Sequence, residues 1–176
     1  RKGVTVHLDG YIKRFINGDR TAFDEIYNRT RKSVYYVALS VLRDGYLAED
    51  VMQTTYMRVI KNIRSYVFGT NPAAWIVKIA KNEALNVKKT RARENLTDDF
   101  TDCPEQGSDE PYKYGELIDL ARRNLDEDEF SVMMLVTVCG YKRREIGEML
   151  DMPVSTVTWK YKNALGKMRV ALKEGL

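Results

Sequence analysis

One stretch of the sequence, residues 94–114, cannot contribute to a packed core, and it therefore divides the chain into two parts. It contains two prolines, Pro104 and Pro111, and its acidic residues greatly outnumber its basic ones. Such a composition offers too little apolar surface to offset the conformational entropy lost on folding. We therefore predict a flexible acidic linker over 94–114, between one domain at 1–93 and another at 115–176.

The portion before the linker has the pattern of four amphipathic helices. Turn signals at Gly18, at Asp44-Gly45 and at Asn71-Pro72 separate segments whose apolar residues recur every three or four positions. Thr21 and Asp24 resemble a capping box that would open the second helix. The third helix is predicted to turn these residues towards the core: Val51, Met52, Tyr56, Val59, Ile60 and Ile63. Four helices with short connections predict a compact bundle.

The fourth helix, residues 71–93, separates into an apolar face and a basic face. The Asn71 side chain can cap backbone N–H groups, and Pro72 lacks an N–H where the first turn does not need one. The basic face is a stripe at three- or four-residue spacing: Lys78, Asn82, Asn86, Lys89 and Arg93. Asparagine amides can hydrogen-bond base edges, and the cations can neutralise phosphates. The stripe favours nucleic-acid binding, and the alternative is an ordinary solvated helix face.

The portion after the linker predicts a second helical body that ends in a helix-turn-helix. Asp126 and Glu129 form a second capping box, and Gly147 allows a close helix crossing. A short helix at 143–150, a turn at 151–153 and a longer helix from 154 to 173 have the required spacing. The longer helix presents polar and basic residues suited to the major groove: Ser155, Thr156, Thr158, Trp159, Lys160, Lys162 and Asn163. The alternatives are a helical hairpin without a DNA role and, for Trp159, a protein interface or a place in the core.

Several segments together resemble the extracytoplasmic-function sigma factors of bacterial RNA polymerase, over nearly the whole chain. The two most specific are residues 48–59, AEDVMQTTYMRV, and residues 72–82, PAAWIVKIAKN. Further matches lie in the second body at Leu125, Gly140-Tyr141, Glu145-Ile146, Pro153, Thr156-Val157 and Ala164. The resemblance implies an all-α protein, with a four-helix sigma region 2 domain at 1–93, the acidic linker, and a four-helix sigma region 4 domain at 115–176.

The resemblance also implies roles for individual residues. Asp50 and Gln53, one turn apart on an exposed helix face, would bind core RNA polymerase. Melted minus-ten DNA would be held by Tyr66, Lys78, Asn82, Asn86, Lys88, Lys89 and Arg91, with Tyr66 as the aromatic near the loop and Asn82 as the amide that reads an extruded base. Tyr66 could instead be a lid on the bundle, and Asn86 a solvated position.

The helix after Pro153 would read the minus-thirty-five element as a duplex. The sequence departs from the family pattern at Phe130, Lys142, Thr158, Trp159 and Asn163. Where arginine gives way to threonine or asparagine, bidentate guanine contacts are lost, so we expect a different base preference.

These features predict a sigma factor with no catalytic activity and no cofactor. Its partners would be core RNA polymerase, promoter DNA and, by resemblance, an anti-sigma factor, with no small-molecule substrate. One histidine, two unpaired cysteines and no glycine-rich phosphate loop argue against a metal-dependent or nucleotide-dependent enzyme. No apolar run is long enough to span a membrane, so we expect a cytoplasmic protein; the sequence begins at Arg1, which leaves open whether residues precede it. The alternative is a stand-alone helix-turn-helix regulator whose N-terminal bundle senses a ligand or dimerises.

Overall fold

The computed structural model describes residues 8–94 and 115–174, and the described part of the chain is helical without a strand. The elements are α1 (Leu8–Ile16), α2 (Ala22–Leu42), α3 (Gly45–Asn62), a 3₁₀ turn (Ile63–Ser65), α4 (Pro72–Glu94), α5 (Gly115–Asn124), α6 (Glu127–Thr137), α7 (Arg143–Leu150) and α8 (Val154–Glu174). The predicted all-α class is confirmed. Apart from Glu94, the predicted linker lies outside the described residues. Among the described helices, none is long and apolar enough to cross a bilayer.

In the N-terminal bundle, α2 lies at the centre and packs against α1, α3 and α4. Local capping explains where the later helices begin. The Asp44 carboxylate accepts a hydrogen bond from the backbone N–H of Leu47 at 3.1 Å, and the Asn71 side chain accepts one from Ala74 at 3.1 Å. The prediction that Thr21 caps α2 is wrong, because its hydroxyl donates to Asp19 at 2.6 Å instead.

Helix α3 buries Val51, Tyr56 and Val59 as predicted, and Ile63 is buried in the 3₁₀ turn that follows, but the prediction for Ile60 is wrong. Ile60 is 46% exposed, since the packing of α3 against α2 and α4 places position 60 on the outer side of the bundle. Its exposure adds an apolar side chain to the surface of α3.

The C-terminal body begins with α5 and ends with the helix-turn-helix formed by α7 and α8. The predicted capping box of α6 is present: Asp126 accepts from the Glu129 N–H at 2.7 Å, and Glu129 accepts from the Asp126 N–H at 3.1 Å. In the turn after α7, Asp151 adopts a left-handed conformation with φ of 55°. A Cβ atom at Gly147 would lie 2.6 Å from the Met152 carbonyl oxygen, so the turn requires a glycine there.

The two bodies pack against each other through α2 with α6 and α4 with α7. The hydroxyls of Ser40 and Ser131 meet in a buried hydrogen bond of 2.7 Å. Arg43 donates to the carbonyls of Arg122 and Leu125, at 2.7 and 3.0 Å, and its guanidinium lies 5.7 Å from the centre of the Phe130 ring. Apolar residues of both bodies share one continuous core. The sequence patterns do not predict this packing, because each pattern describes the apolar face or the cap of a single helix and not its neighbours.

Candidate nucleic-acid and polymerase interfaces

The polar residues of α4 form an exposed face that contains almost no negative charge. Its exposed members are Asn82, Asn86, Lys88, Lys89 and Arg91, and Lys78 is half-buried near the start of the helix. Glu83 is the one acid between residues 71 and 93. It is buried against α3, where its carboxylate binds Arg58 at 2.9 Å. The arrangement leaves amides and cations together at the surface, as single-stranded DNA binding requires.

Carboxylates of the C-terminal body lie directly against this face. Lys78 binds Asp151 at 2.6 Å, and the Asn71 amide donates to Glu148 at 2.8 Å. Further along α4, Lys88 pairs with Glu127 at 3.2 Å. Between α4 and α7 the surfaces enclose an open cleft of about 780 Å³, lined by Thr70, Trp75 and Arg144 in addition to the paired residues. The acids therefore occupy the places where phosphates would approach α4.

The loop before α4 presents a different aromatic residue from the one predicted. Tyr66 is 5% exposed, and its hydroxyl donates to the Asp9 carboxylate at 2.7 Å and to the Thr70 carbonyl at 3.0 Å. Its ring lies between Trp75 and Phe68, with centroids 5.4 and 5.5 Å away. Phe68 is 50% exposed. The burial of Tyr66 favours the alternative that it is a lid on the bundle, and Phe68 is the exposed aromatic of this loop.

Sequence reasoning missed Phe68, although a signal was available. Val67 and Phe68 are two apolar residues placed immediately before Gly69, which has a φ of +84° that favours glycine. Because this apolar pair lies in a loop, it belongs to no helix whose apolar face would carry it into the core. Exposure at the loop was therefore a reasonable alternative to burial.

On α3, Asp50 and Gln53 are both exposed and lie one turn apart, as predicted. Exposed apolar residues continue the same line at three- or four-residue spacing, so that an α3 stripe can be defined as Tyr46, Asp50, Gln53, Met57 and Ile60. Met57 is 72% exposed, the largest value among the exposed apolar side chains of the described residues. A stripe that combines large apolar side chains with two polar groups is typical of a protein interface.

The residues predicted on α8 divide into outward and packed positions. The exposed positions are Ser155, Trp159 and Lys162. Trp159 is 60% exposed, so the Trp159 side chain does not fold back into the core. Half-buried positions are held by Thr156, Thr158 and Asn163.

Lys160 does not project from α8 into solvent as predicted. Its Nζ atom lies 3.1 Å from Asp128 and 3.7 Å from Asp126, and its side chain is largely covered. Burial alone would lower the pKa of Lys160, but the two carboxylates raise it overall. Lys160 thus joins α8 to the start of α6 and is removed from the exposed polar surface.

Two departures from the family pattern have clear structural consequences. Phe130 is fully buried beneath the guanidinium of Arg43 and contributes to the contact between the two bodies. Lys142 precedes α7 and has no side-chain acceptor, but its backbone N–H donates to Glu145 at 2.7 Å. The helix-turn-helix therefore forms without the expected serine cap.

Comparison with known proteins identifies relatives over most of the chain. Residues 26–94, from α2 to the end of α4, match the sigma-70 region 2 family. The chain is 26% identical over 170 residues to the RNA polymerase sigma factor CarQ of Myxococcus xanthus, which covers 93% of this chain and 96% of CarQ. It is 25% identical over 186 residues to the ECF RNA polymerase sigma factor SigW of Bacillus subtilis, with 94% of each chain covered.

The fold is similar to that of the sigma factor RpoE in its co-crystal structure with the anti-sigma factor NepR from Bartonella quintana. The TM-score is 0.66 at 20% identity, over 86% of this chain and 96% of that chain. The family match includes both the α3 stripe and the polar face of α4, and the whole-length similarities extend through the helix-turn-helix.

Proposed function

We infer that this chain, which belongs to the extracytoplasmic-function sigma factors of bacterial RNA polymerase, directs core polymerase to a set of promoters and starts transcription there. The observation that carries this inference most is the sigma-70 region 2 match, which includes the predicted docking and minus-ten residues. Similarity to CarQ and SigW over more than nine-tenths of the chain supports it further. We assign region 2 to 1–93, the linker to 94–114 and region 4 to 115–176.

The α3 stripe is the proposed docking surface for core polymerase. Met57 and Ile60 would supply apolar area to bury, while Asp50 and Gln53 would fix the orientation through hydrogen bonds. Much of the apolar surface of Met57 and Ile60 lies outside the packed bundle. A partner surface is the physical reason for placing them there.

The proposed minus-ten surface consists of the polar face of α4 and the loop before it. Asn82 and Asn86 can hydrogen-bond an extruded base, and Lys89 and Arg91 can hold the backbone beside it. Phe68 takes the stacking role that the family resemblance implies for Tyr66, because an unpaired base can reach an exposed ring.

The proposed minus-thirty-five surface is the outer face of α8. Ser155, Thr156, Thr158, Lys162 and Asn163 provide hydroxyl, amide and cationic contacts to duplex DNA, and Trp159 provides an apolar surface for sugars or thymine methyl groups. Lys160 supports this surface from behind by anchoring α8 to α6. Without arginines at the reading positions, the preferred sequence should depend less on guanine.

The described arrangement is a closed form in which promoter DNA cannot use all of α4. Asp151 and Glu127 pair with Lys78 and Lys88, two of the α4 residues that would contact DNA, so these ion pairs and the minus-ten strand exclude each other. We propose that binding to core polymerase separates the two bodies and releases α4. An anti-sigma factor, as in the RpoE and NepR complex, would be a second partner that acts on this equilibrium.

The protein would act by binding alone, in the cytoplasm where polymerase works, and would catalyse no step itself. The family is one of polymerase subunits without their own chemistry, which supports this assignment. A stand-alone helix-turn-helix regulator is the competing function, and it would bind duplex DNA tightly without polymerase.

The test is reconstitution of the purified full chain with core polymerase on promoter DNA, with strand opening followed by permanganate reactivity of thymines. The expected result is specific opening only when both components are present. The double variant Asp50→Ala with Gln53→Ala should lose polymerase association. Asp24→Ala with Asn28→Ala, which removes an exposed carboxylate and an exposed amide one turn apart on α2, should retain it. Tight, specific duplex binding that core polymerase does not change would overturn the proposed function.

A further inference from the structure

A single carboxylate on α1 ties down the loop that precedes α4. The Asp9 side chain accepts a hydrogen bond from the Tyr66 hydroxyl at 2.7 Å and a longer one, 3.4 Å, from the Gly69 backbone N–H. The Tyr66 hydroxyl also reaches the Thr70 carbonyl at 3.0 Å. Because Tyr66 and Gly69 lie on either side of Val67 and Phe68, these bonds hold both ends of the exposed apolar pair.

The rings beneath the loop set the position of Phe68. The Tyr66 ring packs against Trp75 of α4 on one side and meets Phe68 nearly edge-on, at 76°, on the other. Burial is the main cause that raises the pKa of Tyr66, to about 12, and the neighbouring Asp9 carboxylate acts in the same direction. The hydroxyl therefore stays protonated at neutral pH and continues to donate to Asp9.

A fixed ring is useful for capturing an unpaired base. Stacking on an aromatic side chain contributes roughly 1–3 kcal/mol per base, and a loop that must first become ordered would lose part of that energy. The hydrogen bonds that Asp9 accepts order the loop before any DNA arrives.

We propose that Asp9 is a positioning residue for promoter opening: through Tyr66 and Gly69 it fixes the loop so that Phe68 is a preformed stacking surface for a melted minus-ten base. This inference rests on the proposed function and adds α1 to the minus-ten machinery. It assigns Tyr66 a supporting role in place of direct contact with DNA.

Tyr66→Phe is the first test variant, because it removes the hydroxyl and keeps the ring. Opening of duplex promoter by the variant with core polymerase should fall roughly 3- to 10-fold, the effect of one or two lost hydrogen bonds. Asp9→Asn should lower opening in the same direction, since one of the two oxygens that accept these bonds becomes an NH2 group, which can only donate. Tyr56→Phe is the matched control: its buried hydroxyl bonds to Thr30 at 2.8 Å, away from the loop, and the variant should open promoters normally.

A double-mutant cycle separates positioning from general stability. Phe68→Ala alone should reduce opening by roughly 10-fold, and adding Tyr66→Phe to it should then have little further effect. Fluorescence of 2-aminopurine placed in the non-template strand should report weaker stacking in both single variants. Polymerase association should stay at the wild-type level.

Three outcomes would overturn the proposal: full additivity of the two substitutions, unchanged opening by a folded Tyr66→Phe protein, or loss of polymerase association in Phe68→Ala. The last would make the loop a protein contact. Opening by the wild-type protein in the same experiment shows that the sigma function stands, whichever way the variants behave.

Discussion

Lys78 on the proposed minus-ten face of α4 forms an ion pair of 2.6 Å with Asp151, which lies in the turn of the helix-turn-helix. One of the two proposed DNA-binding elements thus supplies the carboxylate that covers a cation of the other. Asp151 lies at a left-handed backbone position, which asparagine also tolerates, so its charge can be removed without strain.

Neutralising the acids that face α4 should increase the affinity of the free protein for DNA. In the variant Asp151→Asn with Glu148→Gln, the contacts to Lys78 and Asn71 lose their negative partners. We expect DNA binding without polymerase to strengthen by roughly two- to fivefold, the range for exposed ion pairs. Fluorescence anisotropy with a labelled minus-ten oligonucleotide measures the change.

The control for that experiment is a matched loss of charge elsewhere on the same body. Glu116→Gln with Asp119→Asn removes two carboxylates on α5 and so matches the charge lost in the test variant. An equal increase in both proteins would mean that net charge alone controls the affinity.

Asn82 and Lys89 should affect promoter binding in different ways, because one offers a base-reading amide and the other a charge. Lys89→Gln should reduce the slope of log affinity against log salt for the polymerase complex by about 1. Asn82→Ala should weaken opening by about 1–3 kcal/mol at constant slope. Titrations at four salt concentrations distinguish them, and equal slopes for both variants would refute a phosphate contact at Lys89.

Features fixed by neighbouring residues could be predicted from the sequence. Helix α7 has the predicted bounds of 143–150, and the Asp126 and Glu129 capping box is present as predicted. Caps and apolar periods act within one or two helical turns, so a local pattern contains the information needed.

Features fixed by distant residues could not be predicted. The Tyr66 ring packs against Trp75, and its hydroxyl donates to Asp9, 57 positions earlier in the chain. The sequence predicts a DNA contact at Lys160, but two acids at the start of α6, Asp126 and Asp128, lie beside its ammonium group. The closed packing of the two bodies depends in the same way on partners such as Ser40 and Ser131, which are 91 positions apart. Periodicity marks which side of a helix is polar, but not which distant group will cover it.

Stability should fall between about pH 10 and pH 12 as buried phenols ionise. Burial raises the pKa of Tyr141 to about 12, while a tyrosine in an unfolded chain has a pKa of about 10. Between these values the unfolded chain has lost a proton that the folded chain retains, so rising pH favours unfolding; below pH 10 the stabilisation is fully present. Urea unfolding across this range should show a smaller loss for Tyr141→Phe than for wild type, and a wild-type loss for Tyr46→Phe at an exposed tyrosine.

Gly147 and Gly166 should respond in opposite directions to the same substitution, although both lie within helices of the helix-turn-helix. At Gly147 the new methyl group would meet the Met152 carbonyl oxygen at 2.6 Å, so the turn would have to move, at a cost of about 1–3 kcal/mol. A Cβ atom added at Gly166 would meet no atom of a neighbouring segment within 4 Å. Alanine at this position should therefore stabilise α8 by about 0.5–1 kcal/mol. Chemical unfolding of both variants measures the difference. If Gly147→Ala proved as stable as wild type, the close approach between α7 and the turn would not be a constraint on the fold.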